Sequence, residues 1–527
     1  MNTRALTFAA LLIADVAAAQ VSYERLQHAE AEPGNWLLYS GTYAGHRYSP
    51  LAQIDRSNVA DLKPAWVYQG SEKHLETSPL AIDGILYMTE APHVVTALDG
   101  RTGRPLWSYR RPAAVGVPGC CGPVNRGLAV LDDALFVSTY DAHLLALDLH
   151  TGRLRWDVAI AEGALGYSMT GAPLAVKDEI IVGVAGGEYG IRGFIDAYDA
   201  KTGERRWRFW TVPGVGEPGN DTWKGESWKT GGASTWLTGS YDPALNLIYW
   251  GTGNPGPDYN GDERLGDNLY ANSLVALDAD TGKLRWFFQF TPHDLHDWDS
   301  NQIPVLLDAA FDGRPRKLVV QANRNAFYYV LDRETGEFLR GAPFVHQTWA
   351  QGLDAHGRPI LVPDREPSPE GTLVYPGLAG GTNWFSPSYS PLTQLLYVDA
   401  REQQGQVFFK HEAEYKGGTS FYGGGERDVE GAEPYNVVKA IEPITAKIRW
   451  EYKLHAPGSA GVLATAGGLV FSGTREGYFF ALDARTGELK WRFQTGAEVR
   501  ANPIAFEVDH KQYVAIAAGQ ALFVFTK

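Results

Sequence analysis

Short apolar runs recur along most of the chain and are separated by turns rich in Gly and Asp. The runs contain many β-branched and aromatic residues, which favours strands over helices. They come in pairs: Ile85–Thr89 with His93–Leu98, Ala134–Thr139 with His143–Leu147, and Leu469–Ser472 with Gly477–Leu482. This pattern predicts an all-β protein made of hairpins.

The phrase A-x-D-x-x-T-G-x-x-x-W repeats along the chain, and its Asp position returns after 41 to 110 residues. Complete copies occupy residues 97–107, 146–156, 197–207, 276–286 and 481–491, and degraded copies occupy 330–340 and 440–450. In the complete copies Asp and Thr can bond nearby backbone amides, while Gly takes a positive φ. The tryptophan begins the next strand and offers a flat surface on which a neighbouring unit can dock.

The repeat predicts the architecture, because four-stranded sheets bury both faces when they stack around an axis. Seven copies, with an eighth unit assembled from Leu62–Tyr68 and Tyr513–Phe525, predict an eight-bladed β-propeller. A seven-bladed ring is the main alternative. No linker divides the chain, so residues 20–527 form one predicted domain. Residues 340–380 and 401–436 interrupt the rhythm and are predicted to be long loops on one face of the ring.

Composition and charge narrow the function. Of the 527 residues, 44% are hydrophobic and 20% are charged, which is typical of a folded globular chain. The net charge of −14 argues against a nucleic-acid binder. Residues 1–19 have the form of an export signal, and their apolar run is too short to span a bilayer. The sequence therefore predicts a periplasmic protein without a membrane span; it indicates no oligomeric state.

The two cysteines, Cys120 and Cys121, are adjacent. In an oxidising compartment they can pair with each other in a strained ring, and such strain is found more often at functional sites than elsewhere. The alternative is two idle thiols. A second set of residues, Glu188, Asn254, Asp297 and Asp299, supplies the carboxylate and amide oxygens that a hard cation such as calcium prefers. Each of them, taken alone, is better explained as a capped turn residue than as a ligand.

Two other motifs carry less weight. Residues 251–256 match G-x-G-x-x-G, but the prolines that follow do not open the helix that a dinucleotide site needs. His293 and His296 have a spacing that a zinc site with Asp297 could use, but no third histidine and no helix support it.

Several motifs together resemble the pyrroloquinoline-quinone (PQQ) dependent alcohol dehydrogenases, across essentially the whole mature chain. They are Cys120-Cys121 followed by Asn125-Arg126-Gly127, the runs at 186–193 and 250–255, Asn323-Arg324-Asn325 and Gly381-Thr382-Asn383-Trp384. The tryptophan-docking repeat is also that family's eight-bladed signature. The resemblance implies oxidation of an alcohol to an aldehyde, with hydride transfer to metal-bound PQQ.

The resemblance also implies roles for individual residues. Cys120 and Cys121 correspond to a ring disulfide on one face of PQQ, and Trp236 to a tryptophan on the other face. The remaining cofactor-binding positions are Glu76, Arg126, Thr170, Ala185, Gly186, Gly187, Ser234, Arg324 and Asn383. The metal ligands are Glu188, Asn254 and Asp297, and Asp297 is also the catalytic base. Asp299, two residues further on, marks members of the family that use a lanthanide, so a lanthanide is favoured over calcium; in a different alignment Asp299 is itself the catalytic aspartate.

The sequence departs from the family at two positions, and the second of them concerns the substrate. Ser234 replaces a common Thr and keeps the hydroxyl, whereas Ser459 stands where members often have a tryptophan above the alcohol cavity. An alcohol larger than methanol or ethanol is therefore expected, and a sugar, polyol or polymeric alcohol remains open. A non-catalytic envelope scaffold is the alternative of another class. Because no C-x-x-C-H motif occurs, no covalent haem is expected, and electrons would leave to a separate carrier such as a soluble cytochrome c.

Overall fold

The computed structural model describes residues 20–71, 75–112 and 116–527; the predicted export signal at 1–19 lies outside them. Helical structure in this part of the chain is confined to short elements, and none of the helices is long and apolar enough to cross a membrane. The α-helix is Tyr23–Gln27, and the 3-10 turns are Ala29–Ala31, Val59–Asp61, Gly163–Leu165, Gly187–Tyr189, Asn220–Thr222 and Ser227–Thr230.

Within the described ranges, eight sheets each contain four antiparallel strands, here numbered sheets 1 to 8; the strands are consecutive in sequence except in sheets 6 and 8. Sheet 1 comprises Leu80–Ile82, Ile85–Glu90, Val94–Asp99 and Pro105–Arg110, and sheet 2 comprises Ala129–Leu131, Ala134–Ser138, His143–Asp148 and Leu154–Ala159. Sheet 3 comprises Leu174–Val176, Glu179–Gly183, Phe194–Asp199 and Arg205–Trp210, and sheet 4 comprises Ser240–Asp242, Leu247–Gly251, Ser273–Asp278 and Leu284–Gln289. Sheet 5 comprises Val305–Phe311, Arg314–Ala322, Phe327–Asp332 and Phe338–Pro343, and sheet 6 comprises Ser388–Ser390, Leu395–Glu402, Tyr435–Ile441 and Ile448–Lys453. Sheet 7 comprises Leu463–Thr465, Leu469–Gly473, Tyr478–Asp483 and Leu489–Gln494, and sheet 8 comprises Ile504–Val508, Lys511–Ala518, Ala521–Thr526 and Lys63–Gln69. Tyr48–Ser49 adds a parallel fifth strand to sheet 7.

The repeated phrase forms the hairpin between the third and fourth strands of a sheet. In sheet 1, Ala97 pairs with Trp107 across the hairpin. The Asp99 carboxylate accepts hydrogen bonds from the backbone and hydroxyl of Thr102, both at 3.0 Å. Gly103 closes the turn with a φ of +72°. Asp, Thr and Gly recur together because each satisfies a different requirement of one tight turn.

The tryptophan of each complete repeat docks on the turn of the following sheet. Trp156 Nε1 donates to the carbonyl oxygen of Ala200 at 3.2 Å, and Trp207 donates to that of Ala279 at 3.1 Å. Equivalent bonds join Trp286 to Arg333, Trp450 to Ala484, Trp491 to Leu62 and Trp66 to Gly100. Sheet 5 has no tryptophan at this position, and there the Tyr328 hydroxyl donates to Pro443 of sheet 6 instead. The predicted docking role of the tryptophan is confirmed.

The two ends of the described chain meet in sheet 8, where Lys63–Gln69 pairs with Ala521–Thr526. The eighth unit predicted from both ends is therefore confirmed as a sheet. First strands of neighbouring sheets also contact each other, for example Ala129–Leu131 with Leu174–Val176. The sheets thus share an inner edge and bury their faces against one another, as in a β-propeller.

The segments predicted as long loops contain strands of their own, so that expectation was wrong in part. Ala350–Leu353 pairs with Pro359–Leu361, and a three-stranded sheet joins Thr372–Val374, Gln406–Lys410 and Gly424–Asp428. Their sequence is rich in Gly and Pro and does not have the pattern of strands, and Thr372–Val374 pairs with residues far away in sequence. Their position matters because they reach the candidate site.

Candidate active site

A cavity of about 560 Å³ collects most of the residues that the sequence singles out. The predicted residues on its wall are Glu76, Cys120, Cys121, Arg126, Thr170, Ala185, Gly186, Glu188, Trp236, Asp297, Asp299, Arg324 and Asn383. Gly187, Ser234 and Asn254 are not among its lining residues. Gly187 and Asn254 nevertheless adjoin the wall through their neighbours Glu188 and Asp299, described below.

The predicted pairing of Cys120 with Cys121 is confirmed; their Cα atoms lie 3.8 Å apart. The disulfide and the indole of Trp236 both line the cavity and offer it flat, apolar surfaces. The guanidinium of Arg126 lies 5.1 Å from the ring centre of Trp236 and 4.7 Å from that of Trp384. Cation–π contacts with two rings hold this arginine in place.

Glu76 is a buried carboxylate between two arginines. Its Oε2 lies 2.9 Å from Arg126 Nη2, and its Oε1 lies 3.2 Å from Arg500 Nη2. Arg500, which the sequence analysis did not single out, therefore joins the cavity through the same acid. The Nε atoms of both arginines are buried without a hydrogen-bond partner, so this corner of the cavity retains donors for an anionic ligand.

The loop that carries the predicted base is organised by Asp294. Its carboxylate accepts from the backbone of His296 at 3.0 Å and of Trp298 at 2.7 Å. The fully buried Trp298 anchors the loop by donating to the carbonyl oxygen of Gly377 at 3.0 Å. Between these anchors Asp297 adopts a φ of +57°, an unusual value for a residue with a Cβ atom. The constrained loop directs Asp297 onto the cavity wall.

Asp299 is held by three donors. Its Oδ1 accepts from the backbone amide of Asn254 at 2.9 Å, and its Oδ2 accepts from Trp236 Nε1 at 3.0 Å and from Arg324 Nη1 at 2.7 Å. Arg324 also lies 3.6 Å from Asp297 through Nη2. The same arginine is fixed by two hydrogen bonds to the carbonyl oxygen of Leu378, in the segment between sheets 5 and 6. Asp299 is thus an organised part of the site rather than a turn cap.

Glu188 sits in the 3-10 turn Gly187–Tyr189, between two glycines with positive φ. At Gly186 a Cβ atom would collide with the carbonyl oxygen of Gly166, so the glycine is required by close packing as well as by its φ of +115°. Glu188 Oε1 lies 2.9 Å from Cys120 Sγ. Burial, together with the charge of Asp299, raises the pKa of Glu188 to about 7.

A carboxylate that the sequence analysis missed, Asp258, lies beside Asn254. The Asn254 Nδ2 donates to Asp258 Oδ1 at 2.9 Å, which fixes the orientation of the Asn254 amide. Asp258 is fully buried, and its Oδ2 has no hydrogen-bond partner. Burial, followed by the charge of Glu188, raises the pKa of Asp258 well above its ordinary value. The only sequence signal was its position four residues after Asn254, in a segment that reads as a turn.

The buried carboxylates of the site repel one another. Burial raises the pKa of Asp297 well above its ordinary value, and Asp299, Asp258 and Glu188 raise it further against the opposing effect of Arg324. Among the described residues, three potential metal-ligand side chains come within 4.8 Å of one another only at Cys120, Cys121 and Glu188. Both of these sulfurs are in the disulfide and offer no thiolate. Glu188, Asp297 and Asp299 therefore surround the same cavity without converging to that distance.

The two competing motifs play structural roles. Gly251 ends a strand of sheet 4, and no helix follows the G-x-G-x-x-G match. His293 Nδ1 and His296 Nε2 each bond a backbone carbonyl oxygen, at 2.9 and 3.0 Å, and His296 stacks on Trp298. Neither histidine groups with Asp297 as a three-ligand metal site in the described ranges.

Comparison with known proteins identifies the class. The family described as glucose/ethanol/alcohol dehydrogenase, beta-propeller domain, of PQQ proteins matches residues 36–343 and 426–514. The chain belongs to this family and has its all-β propeller fold. It is an oxidoreductase of the quinoprotein alcohol dehydrogenase type, as the following relatives indicate.

Quinoprotein alcohol dehydrogenase PedH of Pseudomonas putida is 40% identical, over 98% of this chain and 91% of its own length. The crystal structure of quinohemoprotein alcohol dehydrogenase from Comamonas testosteroni is 35% identical with a TM-score of 0.92, covering 97% of this chain and 84% of that one. A europium-containing methanol dehydrogenase is 33% identical with a TM-score of 0.90, covering 96% of this chain and 100% of that one.

Proposed function

We propose that this chain is a periplasmic dehydrogenase that oxidises an alcohol to an aldehyde with PQQ and one metal ion. The observation that carries the proposal is the convergence on one cavity of the adjacent-cysteine disulfide, Trp236, buried arginines and buried carboxylates. These elements lie in or between different sheets, and a non-catalytic scaffold would have no need to bring them together.

The cavity residues fit PQQ, a planar tricarboxylate. Cys120–Cys121 and Trp236 supply flat surfaces for a planar ring system, and Arg126 and Arg324 supply cationic forks for its carboxylates. The unpartnered Nε atoms of Arg126 and Arg500 are buried polar atoms of the kind that a polar ligand leaves in its absence. We assign Thr170, Ala185, Gly186, Gly187, Ser234 and Asn383 to the same cofactor site.

The same region suits a cation. Glu188, Asn254, Asp297 and Asp299 would hold it through hard oxygen ligands, and Asp258 contributes both charge and the orientation of Asn254. Mutually repelling carboxylates that burial shifts towards the protonated form gain most from a nearby positive charge. Four carboxylates match a trivalent ion better than a divalent ion, so we propose a lanthanide, with calcium as the alternative.

Individual residues of the chain have separate roles in the proposed reaction. Metal-bound PQQ supplies the hydride acceptor when it is present. Asp297 is the general base that accepts the alcohol's hydroxyl proton, and Arg324, 3.6 Å away, favours its ionised form against the effect of burial. Asp299 positions Arg324 and Trp236 by accepting hydrogen bonds from them at 2.7 and 3.0 Å.

The remaining parts of the proposal concern architecture and context. We assign the eight sheets to the eight blades of one closed ring formed by residues 20–527, a proposal supported by the pairing of Lys63–Gln69 with the last strand. Export by residues 1–19 would deliver the protein to the periplasm. A soluble cytochrome c, or a similar carrier, would accept the electrons. Ser459 on the cavity wall leaves room for an alcohol larger than ethanol.

Reconstitution tests this function. Apo-protein is loaded with PQQ and either calcium or a light lanthanide and assayed with an artificial dye acceptor across a panel of alcohols. Turnover should require both PQQ and metal, and Asp297→Asn should lower kcat by about 10²–10⁴-fold, the range contributed by general bases. Absence of PQQ-dependent turnover with every alcohol and both metals would refute the proposal.

The metal assignment is tested with Asp299→Ala. We expect this variant to lose lanthanide-supported turnover more than calcium-supported turnover. If calcium alone gives full activity and the variant is unaffected, the metal is calcium and Asp299 is structural. If Asp299→Ala is inactive with both metals while Asp297→Ala retains turnover, Asp299 is the base.

A further inference from the structure

Arg401 is a cavity-lining arginine that the proposed chemistry does not use. It lies near the end of the strand Leu395–Glu402, and its guanidinium rests 5.2 Å from the ring centre of Phe385. Its Nη2 donates to Ser459 Oγ at 3.0 Å and to the carbonyl oxygen of Gly458 at 3.1 Å, and its Nη1 donates to that of Ala379 at 3.3 Å. These neutral partners fix the guanidinium at the wall.

The charge of Arg401 has no partner of opposite sign. In the part of the chain that the structure describes, no carboxylate oxygen lies within 4.0 Å of it, and its Nε is buried without a hydrogen bond. Asp399 is the acid that acts on it most strongly, but burial raises the pKa of Asp399 to about 7. Burial thus disfavours the ionised form of that carboxyl and weakens it as a counter-ion for Arg401.

Other charges do not compensate for this. Arg324 and Arg500 are close enough to add to the effect of burial, which lowers the pKa of Arg401 to about 10. Three acids of the cavity are engaged elsewhere: Glu76 with Arg126 and Arg500, Asp299 with Arg324, and Glu426 with the Tyr259 hydroxyl at 2.8 Å. A fixed, partly buried guanidinium without a counter-ion is stabilised by a bound anion, and its planar fork matches a carboxylate best.

We propose that Arg401, together with Ser459, binds a carboxylate group of the substrate, so that the enzyme's preferred alcohols are hydroxy acids. The inference rests on the proposed alcohol dehydrogenase function. The hydroxyl of such a substrate would face Asp297, and its carboxylate would reach Arg401 on the same cavity wall. A carboxylate of PQQ is the other source of this chemistry, and the experiment separates the two.

The kinetic test compares ω-hydroxy acids of three to six carbons with the matched primary alcohols, using PQQ-loaded enzyme. At least one hydroxy acid should have the higher kcat/KM in the wild type. Arg401→Met should lower its kcat/KM by about 10- to 100-fold, the value of a hydrogen bond between charged groups. The matched alcohol should change by less than about threefold, because it makes no such contact. Ser459→Ala should give a smaller loss of the same selectivity, and Arg401→Lys should restore only part of it.

The binding test is independent of turnover. Calorimetric titration of the loaded protein with butanoate should show binding that Arg401→Met removes, and butanamide should bind neither protein. PQQ affinity of the apo-protein should be unchanged by Arg401→Met. Two results for Arg401→Met would overturn the proposal and assign Arg401 to the quinone. One is an equal loss of kcat/KM for hydroxy acids and for alcohols, and the other is weaker PQQ binding without loss of butanoate binding. Butanoate binding without turnover of any alcohol would instead overturn the proposed dehydrogenase activity while leaving the anion site intact.

Discussion

Replacement of Trp236 tests the proposed cofactor wall directly, because two of its contacts can be separated by two variants. The indole lines the cavity under the guanidinium of Arg126, and its Nε1 donates to Asp299 at 3.0 Å. Trp236→Ala removes both the flat surface and the hydrogen bond. Trp236→Phe keeps a flat ring and removes only the donor.

The expected loss of PQQ binding free energy follows from the area of the indole ring. One face of an indole buries roughly 100 Å² against a planar ligand, half of the total that a buried aromatic contributes. At about 25 cal/mol per Å² this contributes about 2.5 kcal/mol, and stacking adds about 1 kcal/mol. Trp236→Ala should therefore weaken PQQ binding by up to about 3.5 kcal/mol, or roughly 300-fold. Trp236→Phe should cost much less, since Asp299 retains Arg324 and the amide of Asn254.

The assay is titration of metal-loaded apo-protein with PQQ, followed by quenching of intrinsic fluorescence. Turnover at saturating PQQ serves as the second measurement, because Trp236 contacts the quinone rather than the alcohol in the proposed arrangement. A PQQ dissociation constant that rises less than about threefold in Trp236→Ala would remove Trp236 from the cofactor wall. Equal losses of PQQ affinity in Trp236→Ala and Trp236→Phe would show that Trp236 acts through its hydrogen bond with Asp299.

Two further predictions concern the disulfide and the docking repeat. Reduction of Cys120–Cys121 should weaken PQQ binding and turnover with little change in melting temperature, because the bond encloses no chain loop whose entropy it could restrict; a large fall in melting temperature with intact turnover would contradict this. Gly203→Ala should lower the free energy of unfolding by about 1–3 kcal/mol without changing kcat. At Gly203 the φ is +73° and a Cβ would lie 3.1 Å from Cδ2 of the docked Trp156. Gly216→Ala is its control, with a φ of +85° and no atom within 4 Å of the added carbon. Equal destabilisation by the two substitutions would show that backbone conformation rather than tryptophan docking is responsible.

The fold was largely predictable because its determinants are local and repeated. The positions of Ala97, Asp99, Thr102, Gly103 and Trp107 specify one hairpin, and their recurrence specifies the sheets. The strands inside residues 340–380 and 401–436 were not predictable in the same way. Some of them pair across long separations, as Thr372–Val374 does with Gln406–Lys410, and their composition is that of turns.

Individual site residues were predictable where they lie in a distinctive phrase, and not elsewhere. Cys120, Glu188 and Arg324 stand in motifs that the sequence displays, and all three line the cavity. Asp258 and Arg401 stand in no such motif. Asp258 is buried with one carboxylate oxygen unpartnered, and Arg401 is partly buried without a counter-ion. Both conditions arise from the packing of other segments around them.

Asp299 illustrates why the site depends on the whole ring. Its three donors come from Asn254, Trp236 and Arg324, which are 45, 63 and 25 residues away in sequence. Each donor lies between or beside different sheets, so their convergence requires the sheets to be fixed relative to one another by the docked tryptophans. A rigid ring built from local hairpins therefore does what no local motif can do: it holds buried charges in a geometry that their mutual repulsion would otherwise oppose. The stability of the docked sheets therefore keeps the buried carboxylates of the cavity close together. A bound cation would relieve the repulsion between them, so binding of the cation with the quinone would in turn stabilise the folded ring.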